Sequence, residues 1–396
     1  MATAGMSRTK SGKLDRETER KMARQNPFWY RGTYFDYMTM FLVIFLFLFG
    51  LIMIMSAGSY QGVRDDADST YYFRRQLIMG LIGLTGMFFL SHFQYQVLKN
   101  WSLIMLIGTI ILMGIVLVAG SGSRGSTRWL NIGIGTFQPS ELAKLTLAIY
   151  MAHICTAKSR ALYNFWKTVL YMIPPGIALG LIALENLSTA LVTGMIVALI
   201  WLVATPRKWF GLIVLIIGLA GAYFFVGQKE YRQERFKVWD DPESVEKGQT
   251  IEGLYAIGSG GLFGRGLGQS ILKKGSVPEA HNDMIYAIIC EELGIVGGIM
   301  VIVVFGMLIW RMRFIAEGAP DRFGALLVVG AICHIALQVI INIGVVTNVF
   351  PNTGCTLPFI SYGGSSLVFT LCEAGIVLSV SRQIVPLSKQ EEEVAG

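Results

Sequence analysis

The chain has 396 residues, of which 53% are hydrophobic and only 15% are charged, and its mean hydropathy is +0.55. This apolar share is above that of ordinary soluble domains and excludes a soluble globular protein. No aromatic-interleaved basic segment accompanies the net charge of +7, so we attribute the charge to contact with anionic lipid headgroups and not with nucleic acid. Five cysteines, an odd number, support neither a disulfide framework nor a thiolate metal site.

Hydrophobic blocks of about 20 residues, the length that crosses a bilayer, recur along the chain. They predict an all-α polytopic membrane protein with ten transmembrane helices. The predicted spans are about 35–57, 76–92, 99–119, 140–156, 167–184, 187–204, 208–226, 283–310, 323–347 and 364–381. The first block lies too deep in the chain and is too long for a cleavable signal peptide, and it predicts an uncleaved anchor.

Basic residues beside the spans predict the orientation, because cytoplasmic segments are enriched in Lys and Arg. Eight of them precede the first span: Arg8, Lys10, Lys13, Arg16, Arg20, Lys21, Arg24 and Arg31. Both termini are therefore expected in the cytoplasm. We divide the chain into a basic tail at 1–33, a membrane domain at 34–382 with a large outer loop at 227–282, and a C-terminal tail at 383–396.

The first polar cluster on the predicted outer face reads "RGSTRWLNIGIGTFQPSELAKL", residues 124–145. Pro139 and Ser140 are typical of a helix start. Glu141 and Lys144 then stand at i and i+3 on one helical face. A surface ion pair is the plain interpretation, but the pair opens an apolar span close to Arg128, which favours a site.

A glycine-rich stretch, "GSGGLFGRGLG" at residues 258–268, lies in the large outer loop. It lacks the GK[ST] ending of a phosphate-binding P-loop, and no buried strand precedes it. The glycines are expected to permit tight turns and close backbone approach. Contact with a pyrophosphate through backbone N–H groups stays open.

Charged residues interrupt the apolar stretch "EAHNDMIYAIICEELG", residues 279–294. An ionisable residue costs roughly 2.5–3.5 kcal/mol in a membrane span and usually serves a function. Asp283 is either a helix cap, favoured by the helix dipole, or a functional carboxylate facing a cavity. Glu291 and Glu292 lie two turns deeper and either line a polar cavity or hold neighbouring segments together. We favour the structural role for both.

The third cluster, "NTGCTLPFISYGGSSLVF" at residues 352–369, contains helix-breaking residues beside the membrane. Pro358 and the Gly363–Gly364 pair predict a re-entrant loop or broken helix, since irregular backbone at membrane depth must be buried in protein or line a cavity. A simple loop before the last span is the alternative.

In chain order, "RWLNIG", "QPSELAKL", "AIGSGGLFGRGLGQS", "PEAHNDMIYAIICEELG" and "LPFISYGGSSL" resemble the signature stretches of the SEDS family, the FtsW, RodA and SpoVE proteins of bacterial wall growth. The resemblance covers residues 35–382. It implies a ten-span fold in the bacterial cytoplasmic membrane and a peptidoglycan polymerase that uses lipid II. It also implies a class B penicillin-binding protein as transpeptidase partner, beside other division-complex membrane proteins.

The resemblance assigns roles to individual residues. Asp283 matches the family's catalytic aspartate. The substrate-binding candidates are Arg75, Gln76, Arg128, Glu141, Lys144, Arg235, Lys273, His281, Ser361 and Tyr362. Two departures concern subtype: "LENLST" at 184–189 where the family has "QPDLGT", and Thr353 where many FtsW proteins have a lysine. Thr356 favours FtsW, with a septal role, over a RodA-like elongation polymerase.

The implied chemistry needs a base for an acceptor hydroxyl and positive charge for a departing pyrophosphate. Asp283 is the candidate base. The candidate cations for the phosphates are Arg128, Lys144, Arg235 and Lys273. Glu141 either orients Lys144 or binds a divalent ion, so Mg²⁺ or Mn²⁺ stays open as a cofactor, with no metal ligand set assigned.

Two other function classes remain open: a lipid II flippase or transporter, and a non-catalytic division scaffold. A transporter is disfavoured because no inverted repeat is apparent and the charges gather on the outer side. A scaffold would not need Asp283. For the transpeptidase we expect a lipid-facing docking surface on the last spans, at the small residues Gly306, Gly330, Ala331 and Ala336.

Overall fold

The computed structural model describes residues 34–64, 68–120, 128–131, 136–159, 161–205, 230–242, 248–274 and 281–384, together with residues 208, 212 and 216. Three expected features therefore lie outside the described residues: the basic tail, most of the predicted span at 208–226 and most of the C-terminal tail.

Helices dominate the described residues. In chain order they are α1 (Tyr37–Arg64), α2 (Tyr71–His92), α3 (Gln96–Ala119), α4 (Pro139–Ala157), α5 (Phe165–Glu185), α6 (Leu187–Ala204), α7 (Glu230–Asp240), α8 (Gln249–Gly260), α9 (Ile285–Gly318), α10 (Arg322–Val346) and α11 (Gly364–Ser381). Between α3 and α4, the two-residue strands β1 (Leu130–Asn131) and β2 (Thr136–Phe137) pair antiparallel. Short 3₁₀ turns form at Ala161–Tyr163 and Leu272–Lys274.

Eight of the described helices are long and apolar enough to cross a membrane, namely all except α4, α7 and α8. The protein is thus a mostly helical, polytopic membrane protein, as predicted. The count of ten spans and the cytoplasmic placement of both termini stay predictions. The fourth predicted span does form a helix, α4, but Glu141 and Lys144 lower its apolarity.

α4 lies at the centre of the bundle. It packs against α3, α6 and α10, while α10 also contacts α9 and α11, and α11 lies along α2. Nearly every α4 side chain from Pro139 to Cys155 is buried. The polar first turn of α4 is therefore enclosed by protein, where the electrostatic interactions of its charges are stronger than in water.

A break interrupts α9 at Gly294, whose φ of 71° and ψ of −171° are not helical. The segment 258–268 supplies the hydrogen bonds that the break removes from the helix. The Arg265 amide donates to the Glu291 carbonyl at 2.9 Å, and the Ile295 amide donates to the Gly261 carbonyl at 2.9 Å. The apolar pattern of the span did not predict this break.

The glycines of segment 258–268 allow its backbone to reach α9. A Cβ atom on Gly264, where φ is 77°, would lie 2.1 Å from the Glu292 carbonyl oxygen. A Cβ atom on Gly260 would lie 2.0 Å from the Cys290 carbonyl oxygen. The prediction of close backbone approach is confirmed, because no larger residue fits at either position.

Two of the three proposed docking residues on α10, Gly330 and Ala331, are not lipid-facing, whereas the third, Ala336, is half-buried. A Cβ atom on Gly330 would lie 3.2 Å from Ala148 of α4, and Ala331 is 1% exposed. The expectation of a docking surface at these two residues is wrong, because this face of α10 fills the bundle core. Gly306 on α9 differs, since a Cβ atom there would meet nothing within 4 Å.

Candidate active site

Asp283 lies in the turn immediately before α9. The N-cap of α9 is Met284, one residue later, and no side chain caps this helix. The Asp283 carboxylate is half-buried and accepts a hydrogen bond from Gln249 Nε2 at 2.8 Å. This geometry disfavours the helix-cap interpretation and gives a carboxylate held in place by another helix.

Gln249, the first residue of α8, connects Asp283 to α7. Its Oε1 atom accepts from Asn352 Nδ2 at 3.3 Å, while its Nε2 atom donates to Asp283. Arg235 of α7 in turn donates from Nη1 to the Asn352 carbonyl at 3.1 Å. The predicted residues Arg235 and Asp283 therefore belong to one hydrogen-bonded chain.

The first turn of α4 carries a buried ion pair. Lys144 Nζ lies 2.8 Å from Glu141 Oε2, and the two side chains are only 2% and 10% exposed. Ser366 of α11 also hydrogen-bonds to the Glu141 carboxylate. The predicted pairing on one helical face is confirmed, and the surface-pair interpretation is wrong.

Cys355 lies near both the ion pair and Asp283. Lys144, Glu141 and Asp283 all act electrostatically on its thiol. Asn342 of α10 donates from Nδ2 to the Asp283 carbonyl at 2.8 Å and to the Cys355 carbonyl at 2.7 Å. Burial raises the pKa of Cys355 to about 11, so the thiol is protonated at neutral pH and leaves the role of base to a carboxylate.

The segment between α10 and α11 is irregular and folds back into the protein. Residues 357–361 are buried, and Phe359 has a positive φ of 63°. A Cβ atom on Gly50 of α1 would lie 2.6 Å from Ile360 Cα, so the two backbones pack directly together. The prediction of irregular backbone buried in protein is confirmed, and a simple loop is excluded.

Gln76 fixes this buried segment to α2. Its Nε2 atom donates to the Ser361 carbonyl at 3.1 Å, and its Oε1 atom accepts from the Gly363 amide at 3.3 Å. Ser361 Oγ accepts from the Leu357 amide at 2.8 Å. The side chains of Gln76 and Ser361 therefore stabilise the conformation of the buried loop through these hydrogen bonds.

Three aromatic rings stand beside Asp283. The His281 ring centroid lies 4.1 Å from that of Tyr72 and 5.2 Å from that of Tyr362. The Tyr362 amide donates to the His281 carbonyl at 3.1 Å. Arg75 donates to the Tyr71 hydroxyl at 2.7 Å and also hydrogen-bonds to Tyr362. The predicted residues Arg75, His281 and Tyr362 therefore belong to one cluster with Tyr71 and Tyr72, and this cluster forms a wall that includes His281, two residues before Asp283.

Arg128 lies at the C-terminal end of α5. Its Nε atom donates to the Glu185 carbonyl at 3.1 Å, and its charge acts on the Glu185 carboxylate. Glu185 is 3% exposed, and within the described part of the chain neither carboxylate oxygen has a hydrogen-bond partner. Sequence reasoning noted Glu185 only as part of the divergent "LENLST".

Lys273 is held away from Asp283. Its Nζ atom lies 3.2 Å from Glu292 Oε1 and 3.1 Å from Ser56 Oγ, and it is buried. Glu292 lies seven residues into α9, about 10 Å along the axis from its start. The structure therefore places Lys273 in a separate buried pair and does not bring it to the other candidate residues.

Glu291 and Glu292 anchor the segment that follows the glycines. The Glu291 carboxylate accepts from Ser270 Oγ at 2.5 Å and from the Ile271 amide at 2.8 Å. Ser56 Oγ donates to the Glu292 carboxylate at 2.6 Å. These contacts agree with the structural role that we favour for both glutamates.

The candidate residues do not form a metal cage. The described ranges contain no group of three or more His, Cys, Asp or Glu side chains that could hold a metal ion. Glu141, the one residue considered as a metal ligand, already has the Lys144 ammonium 2.8 Å away. The Lys144 ammonium therefore already supplies a positive charge beside this carboxylate.

Sequence reasoning missed three residues that shape this site: Gln249, Asn342 and Cys355. Each belongs to an unremarkable local pattern, and each acts through a partner distant in sequence. Asn342, in the last two turns of an apolar span, is the one that its sequence could have revealed, because a buried amide in a membrane helix needs partners.

The chain matches the family model described as "Cell cycle protein", that of FtsW, RodA and SpoVE, over residues 37–385. "Stage V sporulation protein E" of Bacillus subtilis (strain 168) is 38% identical over 357 residues, covering 88% of this chain and 97% of the relative. "Probable peptidoglycan glycosyltransferase FtsW" of Geobacter sp. (strain M18) is 34% identical over 357 residues, with coverage of 88% and 97%.

Two solved structures share the fold. A chain of the structure described as "Structural coordination of polymerization and crosslinking by a peptidoglycan synthase complex" superposes with a TM-score of 0.72 at 28% identity, covering 88% of this chain and 98% of that chain. The crystal structure of RodA from Thermus thermophilus gives a TM-score of 0.65 at 27% identity, with coverage of 88% and 97%. Since the family model spans most of the sequence and relatives exceed 30% identity over nearly all of it, the chain belongs to the FtsW, RodA and SpoVE family.

Proposed function

We propose that this protein is a peptidoglycan glycosyltransferase that polymerises lipid II into glycan strands, with Asp283 as general base. The observation that carries the proposal is the placement of a half-buried carboxylate and a buried Lys144–Glu141 pair around the same residue, Cys355. A base and a cation in one enclosed site are what glycosyl transfer from a pyrophosphate donor requires.

The proposed step is one displacement at the anomeric carbon of the donor. The acceptor's 4-hydroxyl oxygen forms the new bond as the bond to the pyrophosphate oxygen breaks, and the electron pair leaves with the pyrophosphate. The hydroxyl proton passes to the Asp283 carboxylate late in the step, so a carboxylate of ordinary basicity suffices. The displacement inverts the anomeric centre, converting an α-linked donor into a β-linked product.

We assign the remaining predicted residues by their contacts. Lys144 stabilises the charge that develops on the pyrophosphate, while Glu141 orients it. Arg128 and Arg75 are further phosphate candidates. Among the other candidates, Gln76 and Ser361 shape the buried loop, Arg235 supports it through Asn352, and His281 and Tyr362 form the wall. Lys273 supports the fold and not the substrate, because Glu292 neutralises it.

The partner we propose is a class B penicillin-binding protein, and one similar structure belongs to a complex that couples polymerisation to crosslinking. With Gly330 and Ala331 buried, α9 is the better docking helix. Its open Gly306 lies between exposed residues such as Ile302 and Trp310, which are 45% and 59% exposed. Small residues of this kind let a partner helix approach closely.

We assign the protein to the division septum, because the threonine at position 356 resembles FtsW more than RodA. A RodA-like role in elongation is the alternative subtype. Depletion of the protein in its native cell separates them. Filaments with missing septa support the septal role, whereas rounded cells support elongation.

The test of the activity is reconstitution of the purified protein with fluorescent lipid II in vesicles, with and without the transpeptidase. Glycan polymer supports the proposal. Transfer of lipid II between leaflets without polymer would establish the flippase alternative. If neither occurs although the transpeptidase binds, the scaffold reading replaces ours.

A further inference from the structure

A third buried contact between ionisable side chains lies deeper in the same bundle. His334 Nδ1 of α10 lies 2.6 Å from Glu373 Oε2 of α11, and both residues are 4% exposed. Glu373 is nine residues into α11, about 14 Å along that helix. Ionisable groups at such depth are costly, and a buried pair is weak evidence for stability alone, which favours a functional reason for keeping it.

The packing of α10 on α4 brings this pair to the level of Lys144. The two helices run antiparallel, because Arg322 at the start of α10 acts electrostatically on Cys155 near the end of α4. Gly330 faces Ala148, with 3.2 Å between its Cβ position and the Ala148 Cβ atom. One turn further along α10 and one turn back along α4, His334 is opposite Lys144.

The electrostatics agree with this register. The His334 ring acts on the Glu141 carboxylate, and Glu141 contacts Lys144 at 2.8 Å. Four ionisable side chains from three helices thus form a series in which acidic and basic groups alternate: Glu373, His334, Glu141 and Lys144. At the end of the series farthest from Glu373, both Glu141 and Lys144 lie near Cys355.

The contact with Glu373 also fixes the imidazole ring. With Glu373 as the carboxylate, Nδ1 donates this hydrogen bond, since a carboxylate only accepts. Nε2 is buried, and within the described residues it has no hydrogen-bond partner. A ring held at one nitrogen presents the other in a fixed direction, which is how a carboxylate commonly sets the orientation of a functional histidine.

We propose that His334 and Glu373 are positioning residues that hold Glu141, and through it Lys144, in the orientation needed for the departing pyrophosphate. The inference rests on the proposed function, since Lys144 acts on the substrate there. His334 and Glu373 touch no substrate. They act by keeping the Lys144–Glu141 pair in one arrangement, so their effect requires Lys144.

A double-mutant cycle tests this dependence. The variants are His334→Ala, Lys144→Gln and the combination, assayed with lipid II for kcat and KM. We expect His334→Ala to lower kcat about ten-fold with KM nearly unchanged, and the combination to be no slower than Lys144→Gln alone, because residues that act as a unit are not additive. Losses that multiply, or an unchanged kcat in His334→Ala, would overturn the proposal.

His334→Asn separates positioning from simple linkage of α10 to α11. Its amide nitrogen takes the place of Nδ1 and keeps the bond to Glu373, but nothing replaces Nε2. We expect wild-type thermal stability with a kcat as low as that of His334→Ala. A wild-type kcat in His334→Asn would show that the pair only joins the helices, and this variant stays informative if His334→Ala does not fold.

His153→Ala is the matched control. This histidine also lies in the bundle, contacting Ser102, but toward the opposite end of α4 from Lys144. Its kcat should stay within about two-fold of wild type. If the wild-type protein makes no polymer at all, the proposed function fails; if it makes polymer and the cycle is additive, only the positioning role fails.

Discussion

The two ends of the stretch 279–294 carry the same kind of side chain in opposite situations. At its start, the half-buried Asp283 carboxylate is steadied by one amide from Gln249. Two turns later, Glu291 and Glu292 are 1% and 0% exposed, and hydroxyl, amide and ammonium donors surround them. A fully buried carboxylate among several donors stabilises a fold, whereas a half-buried one in the turn before a helix is placed to exchange a proton.

Asp283→Asn tests the reactive end and should have the largest effect on activity. The amide keeps the shape but cannot accept the proton, so polymerisation should fall by about 10²–10⁴-fold, the usual contribution of a general base. Lipid II polymer formed by the purified variant is the measurement, with its thermal unfolding as the check on folding. Wild-type polymerisation by this variant would exclude Asp283 as the base.

Glu292→Gln tests the structural end and should show the reverse pattern. The neutral amide leaves the buried Lys273 ammonium uncompensated, which costs about 3–5 kcal/mol when one partner of a buried pair is removed. The unfolding temperature in detergent should fall markedly, while the activity of the molecules that remain folded stays near wild type. A stable but inactive Glu292→Gln protein would show that Glu292 takes part in the reaction. It would contradict the distinction between a reactive Asp283 and a structural Glu292.

Gly294→Ala tests the break that separates the two ends. With φ of 71°, and with a Cβ atom 2.3 Å from the Leu262 carbonyl oxygen, alanine is both strained and obstructed there. This combination of φ and ψ is essentially confined to glycine and costs alanine on the order of 1–3 kcal/mol, and the clash adds to it. Thermal unfolding measures the loss. Gly306→Ala in the same helix is the control and should be neutral, because the space beside Gly306 is open.

Gln249→Leu should have the smallest effect. Leucine removes the donor to Asp283 and leaves the carboxylate in place, so we expect about a ten-fold loss of kcat, close to the lower end of the 1.5–3 kcal/mol typical of a hydrogen bond to a charged group. Exposed Gln269 of the glycine-rich segment, changed to leucine, serves as the comparison. Equal losses in both variants would mean that Gln249 has no special relation to Asp283.

Much of the candidate site was accessible from local patterns. The i and i+3 spacing of Glu141 and Lys144 predicted their pairing, since helix geometry alone places such side chains together. The irregular segment around Pro358 and the structural use of the glycines were also predicted correctly. Lys273 was predicted to contact the phosphates, but its ammonium pairs with Glu292. Nothing in the local sequence distinguishes a lysine that contacts a phosphate from one that pairs with a buried glutamate.

The sequence by itself determined the membrane class, the helical spans and the positions of the polar clusters, because these depend on hydropathy and backbone preference within about 20 residues. Only the tertiary structure decided which charges meet. Asp283 with Gln249, Glu292 with Lys273, and His334 with Glu373 each join residues from different elements. In a low-dielectric interior every buried polar group needs a partner, and helix packing selects which one it finds.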